Sequence, residues 1–186
     1  MNILPDSFQE VLDLVYNILN QGDSRYNDPH EENLLAQALL SNGVSLEKLK
    51  IPLIEEPSYE DLVVLRGVQA HEKYISKIML LERGFKHSEI FFERSFRGSR
   101  PDVLAETEEG RVVIPVECCS CRVSKILDYL EEAREVWIIT RGLPPWEKIP
   151  YLKEKMELFI FKRGKNWKKR TEEVKLNFKS SSNFLP

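Results

Sequence analysis

Cysteine is scarce in this chain and crowded into one place, as Cys118, Cys119 and Cys121. An odd, tightly clustered set builds no disulfide framework, and no second Cys or His pair stands at the spacing that structural zinc requires. Cys118 and Cys119 therefore read as small buried residues closing a core strand. Long apolar runs are missing too. Nothing approaches the roughly 20 apolar residues needed to cross a bilayer, and the opening MNILPDSFQE lacks a basic segment followed by an apolar stretch. These absences predict a cytoplasmic protein with reduced thiols and no membrane partner.

What is present suits a globular fold. The 186 residues are 42% hydrophobic and 31% charged, enough for one ordinary domain with a helical extension. Charge is unevenly spread. Residues 1–61 carry twelve acidic side chains against three basic ones, whereas residues 162–179 carry eight basic against two acidic. A basic segment of this kind can hold a phosphate backbone, here DNA, or dock on the acidic half of its own or a second copy, as in a homodimer.

Periodicity divides the chain. Residues 7–20 place Phe8, Val11, Leu12, Val15, Ile18 and Leu19 at helical spacing behind a Ser7/Glu10 capping box. Asp28-Pro29 starts a second helix that runs to Asn42-Gly43, with a short helical turn expected after Ser45. Pro52 and Pro57 mark the expected boundary between an acidic helical extension, 1–57, and a core domain, 58–163, which the basic tail 164–186 follows. Ser58 with Asp61 caps a helix, and residues 68–83 form another that ends at Gly84 and carries Glu72 near its start on the solvated side.

From Glu89 the period becomes that of strands. Ile90–Phe96, Asp102–Glu106 and Arg111–Glu117 read as an antiparallel meander. A helix over 123–131 then leads to an apolar strand, Val136–Thr140, expected parallel to the third strand. A further helix over 146–155 and a strand over 157–161 complete the order.

The stretch RPDVLAETEEGRVVIPVECCSCR, Arg100–Arg122, concentrates the chemistry. A turn over Thr107–Gly110 pairs Glu106 with Arg111 and hence Asp102 with Pro115, so Asp102 and Glu117 share one face on a diagonal of about 7–8 Å. A one-residue slip would part them. Pro115 inside this strand removes a ladder hydrogen bond and marks a candidate bulge.

Residues 68–142 resemble the PD-(D/E)XK nuclease superfamily. Pro101-Asp102 matches the first half of its motif, Glu117-Cys118-Cys119 falls at the second half, and Glu72 lies on the preceding helix where many members carry a glutamate. The resemblance implies an α/β restriction-endonuclease-like core of helix, three-stranded meander, crossover helix and parallel strand. It also implies a metal-dependent endo- or exonuclease acting on phosphodiester bonds of DNA. Asp102 and Glu117 would hold Mg²⁺ or Mn²⁺ with the Cys118 carbonyl as a further ligand, and Glu72 would hold a second ion or a water. Cys119 replaces the motif lysine, and a thiol supplies no cation. Lys125 or Arg122 on the following helix would then orient the water. The alternative is a catalytically degenerate nuclease fold serving as a nucleic-acid-binding or protein-assembly module.

Overall fold

The computed structural model describes residues 8–19, 28–41, 43–51, 58–65, 69–118, 121–140 and 157–182. In chain order the elements are α1 (Phe8–Leu19), α2 (Pro29–Leu40), β1 (Val44–Lys50), α3 (Tyr59–Val64), α4 (Ala70–Glu82), β2 (Ile90–Phe92), β3 (Val103–Glu106), β4 (Val113–Cys118), α5 (Val123–Glu132), β5 (Glu135–Thr140), β6 (Glu157–Arg163) and α6 (Trp167–Ser182). The expected helix over 146–155, residue Ser7 of the first capping box and the proline-rich boundary 52–57 lie outside the described residues.

Local chemistry explains where the helices begin and end. Asp28 caps α2 by accepting the His30 N–H at 3.0 Å, with Pro29 at the first helical position. Ser58 and Asp61 form a reciprocal capping box on α3. At the end of α4, Gly84 adopts φ 106°, its N–H reaching Leu81 O at 3.0 Å while Phe85 N–H reaches Leu80 O at 3.1 Å. This paired closure needs a residue with positive φ, which glycine supplies without Cβ strain.

The six strands form one mixed α/β sheet in the order β1-β6-β5-β4-β3-β2. β2, β3 and β4 are an antiparallel meander, and β5 lies parallel to β4 after the α5 connection, as expected. β6 runs antiparallel to β5 and pairs on its other side with β1. Residues 44–50 are thus a strand, not a helical turn. In VSLEKLK, Val44 and Leu46 point into one core while Leu49 faces the other, so the period is two.

Apolar side chains alternate between two cores, one on each face of the sheet. Val136, Ile138, Phe159 and Phe161 join Val44 and Leu46 under α1, α2 and α5. Val103, Val116, Trp137, Ile139 and Ile160 meet Ile75 and Leu80 of α4 on the opposite face. Each such side chain contributes about 1.5–3 kcal/mol on burial. α6 packs against α2, with Trp167 buried in the first core. The N-terminal helices and β1 therefore share a core and a sheet with β5, β6 and α5. No helix among the described residues is long and apolar enough to cross a membrane.

Candidate acidic site at the end of β4

The β3–β4 connection decides which side chains meet. Thr107 N–H bonds Val112 O at 3.0 Å, and Gly110 N–H bonds Thr107 O at 2.7 Å with φ 63° at Gly110. The loop is two residues longer than the turn expected from sequence. Glu106 consequently pairs with Val113, and Leu104 with Pro115. A shift of two preserves the side-chain parity, so Asp102 and Glu117 keep the same face. One further step along this register sets them directly opposite one another, not on a diagonal.

Pro115 introduces no bulge. The β3 register passes unbroken through Leu104↔Pro115, and the parallel ladder to β5 begins one residue later, at Val116↔Trp137. A proline is tolerated where its missing N–H is not required by a neighbouring strand.

Asp102, just ahead of β3, accepts the backbone N–H of Cys118 on Oδ2 at 2.8 Å. That bond ties the carboxylate to the strand bearing Glu117. Glu117 is only 4% exposed. Its Oε1 accepts from the Tyr129 hydroxyl at 2.8 Å and from Lys125 Nζ at 3.2 Å. Lys125 and Tyr129 are one turn apart on α5 and so project from the same helix face. α5 is itself anchored by α2: Arg122 at its N-cap makes no side-chain cap, and Glu31 Oε2 accepts the Ser124 N–H at 3.2 Å instead. The acidic N-terminal region thereby helps to set the position of Lys125.

The electrostatics follow from burial. Desolvation raises Glu117 from its ordinary range to about 7, with the Asp102 carboxylate adding to the rise and the Lys125 ammonium opposing it. Asp102 is also raised, chiefly by burial, against the pull of the Cys118 N–H, Lys73 and Lys125. Burial works against the Lys125 ammonium, but Glu117, Cys121 and Asp102 together outweigh it, and the net shift is upward. Tyr129 is pushed far above its usual range by burial and by Glu117, so it stays a hydroxyl donor. Two carboxyl groups are thus held in a poorly solvated place that resists their ionisation, and a bound cation would favour their charged forms.

No protein-family model, curated protein or solved structure matches this chain. The residues themselves carry the functional argument. The fold brings Asp102, Glu117 and Lys125 together, and Tyr129 joins them. Its signal was legible: it lies four residues after Lys125, although its place in the apolar stripe with Ile126 and Leu130 made it look purely structural. Lys73 is a second residue that sequence reasoning missed. It is 3% exposed, bonds Glu93 Oε1 at 3.0 Å and acts electrostatically on Asp102. Nothing in the helical pattern distinguishes it from a solvated lysine.

Glu72 requires a correction, for it is 3% exposed rather than solvated. Its carbonyl accepts the Ser76 hydroxyl at 2.7 Å, and Ser76 Oγ lies 3.9 Å from Cys118 Sγ. This contact is on the α4 side of the sheet, since Cys118 alternates with Glu117 along β4. Arg122, the other relocated cation considered, is exposed. Cys118 and Cys121 are both buried, and burial holds Cys121 well above the ordinary thiol range. Cys119 lies outside the described residues. Among the described residues, no three His, Cys, Asp or Glu side chains gather as a metal cage.

The basic segment 162–179 is partly engaged. Lys162 bonds Glu47 at 2.6 Å, and Arg163 donates to the Glu131 carbonyl at 2.9 Å, closing the C-terminus of α5. Lys165 and Lys169 are exposed.

Proposed function

We propose that this protein is a metal-dependent nuclease of the PD-(D/E)XK type, hydrolysing phosphodiester bonds of DNA. The observation that carries the reading is the convergence of Asp102 and Glu117 on one face of the sheet, with Lys125 Nζ 3.2 Å from Glu117. The succession of α4, the β2–β4 meander, α5 and parallel β5 is the order expected of a restriction-endonuclease-like core.

The donor set fits a hard divalent cation. Two carboxylates, and the Cys118 carbonyl at the end of β4, are the oxygen ligands that Mg²⁺ or Mn²⁺ prefers, with water completing the shell. Both hydrogen bonds to Glu117 among the described residues go to Oε1, which leaves Oε2 for a ligand. When bound, the ion lowers the pKa of a water and offsets charge on the scissile phosphate. The chain supplies the rest. Asp102 is held in place by the Cys118 N–H, and Tyr129 fixes the Glu117 carboxylate. Lys125 takes the part of the absent motif lysine, orienting the attacking water and meeting the developing negative charge. Exposed basic residues of 162–179 are the candidate contact for the DNA backbone.

One observation favours a second reading, a degenerate nuclease fold that binds nucleic acid or assembles with protein without cleaving. Glu117 Oε1 is already satisfied internally by Tyr129 and Lys125. A cleavage assay with Mg²⁺ or Mn²⁺ on single-stranded, duplex and branched DNA separates the two. The nuclease reading expects nicking that disappears in Asp102→Ala and in Glu117→Ala while both variants remain folded. It fails if either variant cuts as well as the parent. Salt-sensitive binding with no cleavage in the parent favours the second reading.

A further inference from the structure

A cavity of about 560 Å³ lies at the other end of β4, between the C-terminus of α4, the β3–β4 loop and the start of β5. It is separate from the acidic site: Ile114 in its wall and Glu117 are three residues apart on the strand, about 10 Å. Phe85, Val112 and Ile114 give it an apolar wall, and Val112 is 48% exposed there.

Its acids are all engaged. Glu135 takes Arg83 at 2.8 Å and the Trp137 indole N–H at 3.2 Å. Glu89 accepts the backbone N–H groups of Lys86 and Glu108 at 2.9 and 3.2 Å. Glu132 accepts Arg97 at 2.8 Å, a partner from outside the cavity.

The remaining arginines are not matched in the same way. Arg163 is bonded to neutral carbonyls of Leu130, Glu131 and Glu132. Among the described residues Arg111 pairs only with Glu109, both side chains largely exposed, a contact that water screens to little. Among the described residues, no hydrogen bond or ion pair holds the Arg134 side chain. Positive charge is therefore in surplus beside apolar surface.

We infer that this cavity binds a small organic anion, its apolar body on Phe85, Val112 and Ile114 and its phosphate or carboxylate head on Arg134 and Arg111. A guanidinium fork matches either head group in a bidentate manner.

Calorimetric titration of the full chain with phenyl phosphate and with phenylacetate tests the inference and distinguishes the two heads. Binding of at least one probe is expected, weakened about tenfold or more in the double variant Arg111→Ala, Arg134→Ala. Val112→Glu, on the apolar wall, is expected to weaken it comparably, and neither variant touches a buried charge. Lys125→Met, at the acidic site, is expected to leave probe binding unchanged. The inference is overturned if neither probe binds at millimolar concentration, if binding survives both cavity variants, or if it is lost in Lys125→Met. It is also overturned if inorganic phosphate binds as tightly as phenyl phosphate, because the apolar wall would then contribute nothing.

Discussion

Tyr129 donates its hydroxyl to Glu117 Oε1 across 2.8 Å, joining the helix that bears Lys125 to the strand that bears the carboxylate. The bond locks one oxygen of Glu117 in a place where burial disfavours its charge. Stability, protonation and the proposed chemistry are therefore coupled through the same atom.

The first consequence is a pH dependence of stability. Glu117 is raised to about 7 in the folded protein, whereas an unfolded glutamate titrates near 4.5. Between those values the native state holds the proton more tightly, so stability falls as pH rises from about 4.5 through 7. The fall approaches about 3 kcal/mol by the linkage relation. Urea unfolding at pH 5 and pH 8 is expected to show this slope, and Glu117→Gln to flatten it. An unchanged slope in that variant would place its origin elsewhere.

Tyr129→Phe removes a hydrogen bond from a buried carboxylate. A loss of about 1.5–3 kcal/mol is expected at pH 8, where Glu117 is charged, and a smaller loss at pH 5. Equal losses at both pH values would show that packing, not the hydrogen bond, is at stake.

Lys125→Met takes away the ammonium that most favours the charged form of Glu117. If the proposed metal site holds Mn²⁺, the pH midpoint of its binding, followed by electron paramagnetic resonance, is expected to move to higher pH. If the nuclease reading holds, cleavage is expected to drop by about 10²–10³-fold, with Lys125→Arg retaining more of it than Lys125→Met. A midpoint that does not move would separate Lys125 from Glu117 functionally.

Removal of residues 1–57 is expected to prevent stable folding. It strips β1 from β6 and exposes Phe159 and Phe161, which pack with Val44, Leu46, Leu35 and Val15. It also removes Glu31 from the N-terminus of α5. Circular dichroism and denaturant titration of the truncated chain check this; a cooperative transition like the parent's would contradict it.

Much of this arrangement was legible in the residues. Alternation marked the meander and the parallel strand, and the Ser58/Asp61 and Gly84 signals sat at helix ends because caps are local chemistry. The shared face of Asp102 and Glu117 was also readable, since strand parity survives an error of two residues. β1 was not, because Val44–Lys50 offers a weak alternation that becomes a strand only when β6 supplies its hydrogen-bonding partner. The burial of Glu72 and Lys73 was equally hidden, for a helix pattern shows which face is apolar but not which charged residue the sheet will cover.

The division is physical. Residue order alone specified what depends on neighbours within about one helical turn or one hairpin: caps, periods, and the parity that keeps two carboxylates together. The fold decided what depends on distant segments. It chose the loop length that moved Asp102 opposite Glu117, brought Tyr129 onto the same oxygen as Lys125, and drew enough apolar cover over the pair to hold Glu117 near neutral pH. Those outcomes rest on tertiary burial and solvation, which no short stretch of sequence contains.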